Sequence, residues 1–577
     1  MSTDRRGTDA SPTGTRESAQ RSALLQGVGV SPGLAAGGVA QVSPPAGEPP
    51  ADPPPPGTAE ADADRIPTAA QAVAAALEAA AATVDGERKE LLETTAQMAT
   101  DPTLVGAAVK QVREGGTSAP RAVWEAAAGV AEQLRALGGY MAERARDVAD
   151  VRDRIIAELT GAAVPGVPHR TEPFVLVATD LAPADTALLD PAQVRAIVTA
   201  EGGPTSHTAI LARGLGIPAV VGLPDALAAL PEGTVVLVDG GAGTVEIDPD
   251  AERVRQAEER SAVVRTFDGQ GRTADGHRVS LVANVGDPAQ ARAAAEAGAE
   301  GVGLFRTEFC FLDRDAEPSL EEQVRAYRSV LTEFPGRKVV VRTLDAGADK
   351  PLPFVTDVDE ANPALGVRGL RTARRAPDVL ENQLAAIAAA AAAEEADVWV
   401  MAPMVATVAE AEDFVEACAR HGLDTAGVMV EVPSAALLAG PILARAAFAS
   451  IGTNDLTQYA MAADRLLGSL AELSDPWQPA VLRLIEATCT GGAQQSRPVG
   501  VCGEAAADPA LAVVLTGLGV SSLSMTPRAL ADVAAVLAAT DLATCRRLAR
   551  AAVDAESALE ARTRVRDGLP VLAELGL

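Results

Sequence analysis

His207 stands in the run GGPTSHTAILARGLGIPAVVG, residues 202–222. Two glycines and a proline lead into Thr205 and Ser206, both good helix N-caps, and then into HTAILAR, which reads as a helix ended by Gly214 and Gly216. IPAVV reads as a short buried strand. A histidine in the first turn of a helix sits where free backbone N–H groups and the helix dipole favour an anion. A neutral imidazole there can attack phosphorus and keep the phosphate it acquires. A lone histidine is by default a cap or a core residue. Against that default stand the glycine-rich approach, the hydroxyls of Thr205 and Thr208, and the scarcity of histidine, four in the chain.

A second group lies in the C-terminal half. Arg306, Arg342 and Arg465 can clamp an oxyanion, because guanidinium is permanently charged and bidentate toward phosphate. Glu431 and Asp455 are hard oxygen ligands suited to Mg²⁺ completed by substrate oxygens and water. Asn454 adds a neutral donor for phosphate or carboxylate. Cys502 lies between a strand and Gly503-Glu504. A buried inert thiol is the usual fate of a free cysteine, but its place beside these polar groups favours a proton donor. A clamp plus a metal describes a small phosphorylated acid better than a neutral sugar or a peptide.

The elements that must position these residues follow from periodicity. SLVANV, GVGLFRT, KVVVRT, VWVMAP, AGVMVE, FASIGT, VGVCGE and SSLSM read as eight strands alternating with helices, the pattern of a (β/α)8 TIM-type barrel. Arg306, Arg342, Glu431, Asn454, Asp455 and Cys502 fall at or just past the C-terminal ends of these strands, where barrels gather function. PALGVRGL is an irregular connection with no assigned place. Before the barrel, residues 23–58 and 161–250 read as one α/β domain carrying His207, interrupted by residues 59–160, which read as four helical segments. Residues 251–274 read as a charged, solvated linker helix followed by a glycine-rich hinge, DGQGRTADGHR. Residues 275–577 form the barrel, and residues 1–22 read as a disordered tail.

Composition narrows the classes. The net charge of −29 argues against nucleic acid and favours a basic or neutral protein partner. No apolar run approaches the ~20 residues of a membrane span, and no secretory signal is visible. Five scattered cysteines without CxxC spacing suit reduced thiols in the cytoplasm and argue against zinc.

Residues 202–222 resemble the phosphohistidine signature of the phosphoenolpyruvate-utilising phosphotransferases. GVGLFRTEF, VRTLDAGADKP, NPALGVRGLR, GVMVEVPSAA, SIGTNDLTQY, AADR and VCGE resemble the barrel motifs of enzyme I of the phosphoenolpyruvate:sugar phosphotransferase system. The likeness covers almost everything after residue 23. It implies a swivelling phosphohistidine domain that takes the phosphoryl group of phosphoenolpyruvate onto His207 and passes it to the carrier protein HPr. It implies that Arg306, Arg342 and Arg465 hold the phosphoryl group, Asn454 and Asp455 contact the substrate, Glu431 and Asp455 hold Mg²⁺, and Cys502 protonates the enolate. The helical subdomain then holds HPr, with Arg144 as one contact, and the barrel forms a homodimer. Two departures bear on loop geometry: Pro204, where the family often has a basic residue, and Leu466-Leu467, where Gly-Asn often follows the arginine of AADR. An ATP-dependent dikinase uses a similar histidine and barrel but needs an ATP-binding domain. Residues 1–22 are expected to be disordered and no GxxxxGK[ST] appears, so no ATP-binding domain is expected. A regulator without chemistry is the third reading, and the retained residues weigh against it.

Overall fold

The computed structural model of the chain describes residues 23–577 except 44–46, 52–57, 85–86, 138, 169, 204–205, 224–228, 262–264, 313, 347–351, 357–359, 361 and 465–466. The tail 1–22, Pro204, Arg465 and Leu466 therefore lie outside the described residues.

The first body is a mixed sheet of β1 (Leu24–Gln26), β2 (Val28–Ser31), β3 (Leu34–Gln41), β4 (Phe174–Ala178), β5 (Val194–Thr199), β6 (Ala219–Val221), β7 (Val235–Asp239) and β8 (Thr244–Ile247), in the order β1-β8-β7-β3-β4-β5-β6-β2. Every residue of β4 and β6 is buried, as expected of strands covered on both faces. One face packs on Ala209, Ala212 and Ile217; the other holds Val175, Val198 and Val238.

Between β3 and β4 the chain forms α1 (Ala59–Ala81), α2 (Glu87–Ala99), α3 (Pro102–Gly115), α4 (Ala119–Leu137) and α5 (Gly139–Thr160). These are five helices rather than the four expected segments, because the alanine-rich stretch taken as one helix breaks after Ala81. Turn-forming DP does start a helix: Asp101 caps it by accepting from Thr103 N at 2.7 Å, and Gly116, with φ +65°, closes its far end. The helical core runs on into α6 (Pro183–Ala187) of the sheet domain through Ala184 and Ala187.

The eight strands read from the sequence close into an all-parallel barrel: β9 (Ser280–Val285), β10 (Gly301–Arg306), β11 (Lys338–Arg342), β12 (Asp397–Ala402), β13 (Ala426–Val430), β14 (Ala449–Ile451), β15 (Val499–Val501) and β16 (Ser522–Met525). Leu304, Val340, Met401, Met429, Phe448 and Cys502 fill its interior.

The joint between the bodies differs from expectation. The helix Ala251–Ser261 is not solvated all round, since its Ala257 is buried against Ala36 and Leu237 of the sheet. The glycine-rich segment expected to hinge is tied to the barrel. Gly271 N donates to Glu300 Oε1 at 2.8 Å, and Arg278 donates to Gly271 O at 2.6 Å. An apolar strip along the helix and one half-buried carboxylate, Glu300, in the next domain account for both differences.

Candidate active site at the barrel mouth

Glu431 follows β13 and is fully buried. Its Oε2 accepts from Met404 N at 2.9 Å, while Oε1 has no hydrogen-bond partner. A Cβ on Gly452 would meet Oε1 at 2.8 Å, so glycine is what lets the carboxylate fit. Burial pushes Glu431 up to about 8, with Asp455 and Asp345 adding to the shift. Asp455 sits in the first turn of the helix Thr453–Met461 and accepts from Arg368 Nη1 at 2.8 Å.

Arg342, at the end of β11, pairs with Glu308 at 3.0 Å and Asp345 at 3.2 Å. Arg368 reaches Asp345 at 3.3 Å as well as Asp455. Burial works against both guanidinium charges, but the surrounding carboxylates override it and raise both pKa values. Cys502, 1% exposed, lies inside this field. Its thiol is pushed up to about 11 by burial, lowered by Ser450, raised by Glu431 and lowered again by Arg342 and Arg306. Arg306 ends β10 with an exposed side chain. Asn454 Oδ1 accepts from Glu504 N at 3.1 Å at the edge of the mouth.

Of the residues singled out from the sequence, Arg306, Arg342, Glu431, Asp455 and Cys502 thus share one electrostatic neighbourhood, and Asn454 borders it. Arg465 lies outside the described residues. Arg368, Glu308 and Asp345 were missed. Each sits inside a quoted motif but beyond a strand end or in short 3₁₀ turns, where neither periodicity nor composition marks it. Among the described residues no group of three or more His, Cys, Asp or Glu forms a metal cage. Two carboxylates, one with an orphan buried oxygen, nevertheless fit Mg²⁺, which keeps waters and shares substrate phosphate oxygens.

His207 opens α7 (His207–Leu215). Ser206 caps the helix, its Oγ accepting from Ala209 N at 3.2 Å, and Gly216 closes it at φ +64°. The hydroxyl of Thr208 is not offered to an incoming phosphate. It is buried and donates to Asp180 Oδ1 at 3.5 Å.

A helix-start histidine on a small α/β body, beside a barrel with a charged mouth, is the domain set of a phosphoenolpyruvate-utilising enzyme. Three family models match in order: "PEP-utilising enzyme, N-terminal" over residues 26–144, "mobile domain" over 170–243, and "PEP-binding domain" over 258–542. Whole-chain relatives narrow the class. A phosphoenolpyruvate-protein phosphotransferase of Streptomyces coelicolor is 53% identical, over 93% of this chain and 98% of its own length. One of Haloferax volcanii is 42% identical, over 83% of this chain and 86% of its own. One of Staphylococcus carnosus is 40% identical, over 67% and 70%. The chain belongs to the phosphoenolpyruvate-protein phosphotransferases.

Proposed function

We propose that the chain moves the phosphoryl group of phosphoenolpyruvate to His207 and from there to a histidine of HPr, the first step of a sugar phosphotransferase system. The observation that carries this is the barrel mouth, where buried Arg342 and Arg368, the orphan oxygen of Glu431 and the Cys502 thiol shift one another's proton affinity. Such a site suits a small phosphorylated carboxylate that must lose a phosphoryl group and gain a proton.

In the transfer the P–O bond to the enol oxygen breaks as a bond forms from phosphorus to a ring nitrogen of His207. The transition state is loose, so alignment and charge neutralisation do most of the work. Arg306, Arg342 and Arg465 hold the phosphoryl oxygens, Asn454 orients the substrate, and Glu431 and Asp455 hold Mg²⁺. When bound, Mg²⁺ neutralises charge on the phosphoryl group and on the leaving enolate. The Cys502 thiol gives its proton to the enolate carbon, yielding pyruvate, and the thiolate recovers a proton from water.

The work divides along the chain. Residues 59–160 dock HPr, with Arg144 one contact; residues 23–58 and 161–250 carry His207; residues 251–274 link; residues 275–577 bind phosphoenolpyruvate and form a homodimer. The reading sets the protein in the cytoplasm, and no helix among the described residues is long and apolar enough to cross a membrane. Radiolabelled phosphoenolpyruvate with Mg²⁺ tests the proposal. Acid-labile label should appear on the chain and move to added HPr, and a folded chain that stays unlabelled contradicts it.

A further inference from the structure

The mobile α/β body meets the barrel with the edge of its sheet opposite His207. Strands β3 to β6 run parallel, and α7 returns between β5 and β6. The start of α7 therefore lies at the strands' C-terminal edge, and its last turn lies at the other edge, where Arg213 donates to Val30 O at 3.0 Å. Six residues of helix put about 9 Å between Arg213 and His207.

Each edge is held by a different body. At the His207 edge Asp180, which accepts from Thr208, pairs with Arg146 of α5 at 2.8 Å. At the opposite edge Arg213 Nε meets Glu504 Oε2 of the barrel at 2.9 Å, with the arginine side chain 9% exposed. Asp239 meets Arg566 at 3.4 Å. Glycine lets the two bodies approach here: a Cβ on Gly216 would strike Arg528 at 1.9 Å, and one on Gly241 would strike Arg566 of the second pair at 2.7 Å.

We propose that this is the carrier-facing arrangement of the mobile domain, and that Arg213–Glu504 with Asp239–Arg566 forms a latch that holds it there. Transfer from phosphoenolpyruvate then requires the latch to open and α7 to turn its other end to the barrel. The inference rests on the function proposed above. A latch of this kind shifts the population of one arrangement and leaves the chemistry of either untouched.

The test locks the latch in the full-length chain. Arg213→Cys with Glu504→Cys is joined by a short bis-maleimide; the five native cysteines are buried. The locked chain should still exchange phosphate with phosphorylated HPr, while labelling from phosphoenolpyruvate falls to background and the unlinked variant, with its latch broken, is labelled at least as fast as the natural chain. Locked chain labelled by phosphoenolpyruvate at the unlinked rate overturns the latch, as does loss of both half-reactions on locking or loss of labelling in the unlinked variant. If the natural chain itself is never labelled, the proposed function fails instead.

Discussion

Cys502 remains a thiol because burial outweighs the two arginines that pull its proton affinity down. Burial also pushes Cys310, Cys418, Cys489 and Cys545 up to about 12, so titration alone does not distinguish Cys502. Its position does: it lines the barrel interior beside Met429, within the field of Glu431 and Arg342. A donor to carbon must hold its proton at neutral pH and be able to release it, and a thiol near 11 satisfies both better than a serine hydroxyl. Cys502→Ser should slow pyruvate formation by about 10²-fold and leave phosphate exchange between His207 and HPr unchanged. A coupled pyruvate assay run beside the exchange assay reads the two separately, and unchanged pyruvate formation would make Cys502 a packing residue. The arginine and carboxylate types at the mouth were legible in the sequence because they follow apolar strand runs. Arg368 was not, because it sits between two 3₁₀ turns and reaches Asp455 only through the closed barrel.

Among the elements, the seam between α5 and α6 carries a buried ion cluster that periodicity does not reveal. Arg154 on α5 pairs with Asp150 at 2.9 Å and with Asp185 on α6 at 2.6 Å. Gly166 passes so close that a Cβ there would meet Asp185 Oδ1 at 2.6 Å. Burial pushes Asp185 up to about 6 despite Arg154. Its folded pKa lies above the usual carboxylate value of about 4, so the folded state binds the extra proton. The group's contribution to stability therefore falls as pH rises from about 4 to about 6 and is level above that. Asp185→Asn keeps an acceptor for Arg154 and removes the desolvated charge. Thermal melts should show the variant gaining on the natural chain across that window, reaching on the order of 1–3 kcal/mol at pH 7. A constant difference across the window would contradict the assignment. The strands were readable because buried parallel strands are short apolar runs bounded by turns. The break after Ala81 was not, because alanine favours helix on both sides of it.

In the whole molecule, three bodies are in contact, and the α/β one carries His207. The helical platform is fused to the sheet domain through α6, and the barrel touches the opposite edge through a few charged contacts. The sequence marked the interruption of one α/β domain by helices, since strand signals stop near residue 42 and return near residue 174. Which edge met the barrel depended on interdomain pairs such as Arg213–Glu504, far apart in the chain and unremarkable in type. The central claim is that a single histidine carries the phosphoryl group between the bodies. The direct measurement is to label the folded chain with phosphoenolpyruvate and Mg²⁺, digest it at neutral pH, and locate the phosphohistidine by mass spectrometry, with His207→Ala in parallel. The account predicts phosphate on the peptide containing His207 and none on the folded variant. Phosphate on His169, His277 or His421, or a His207→Ala chain that still takes up acid-labile label, would contradict it.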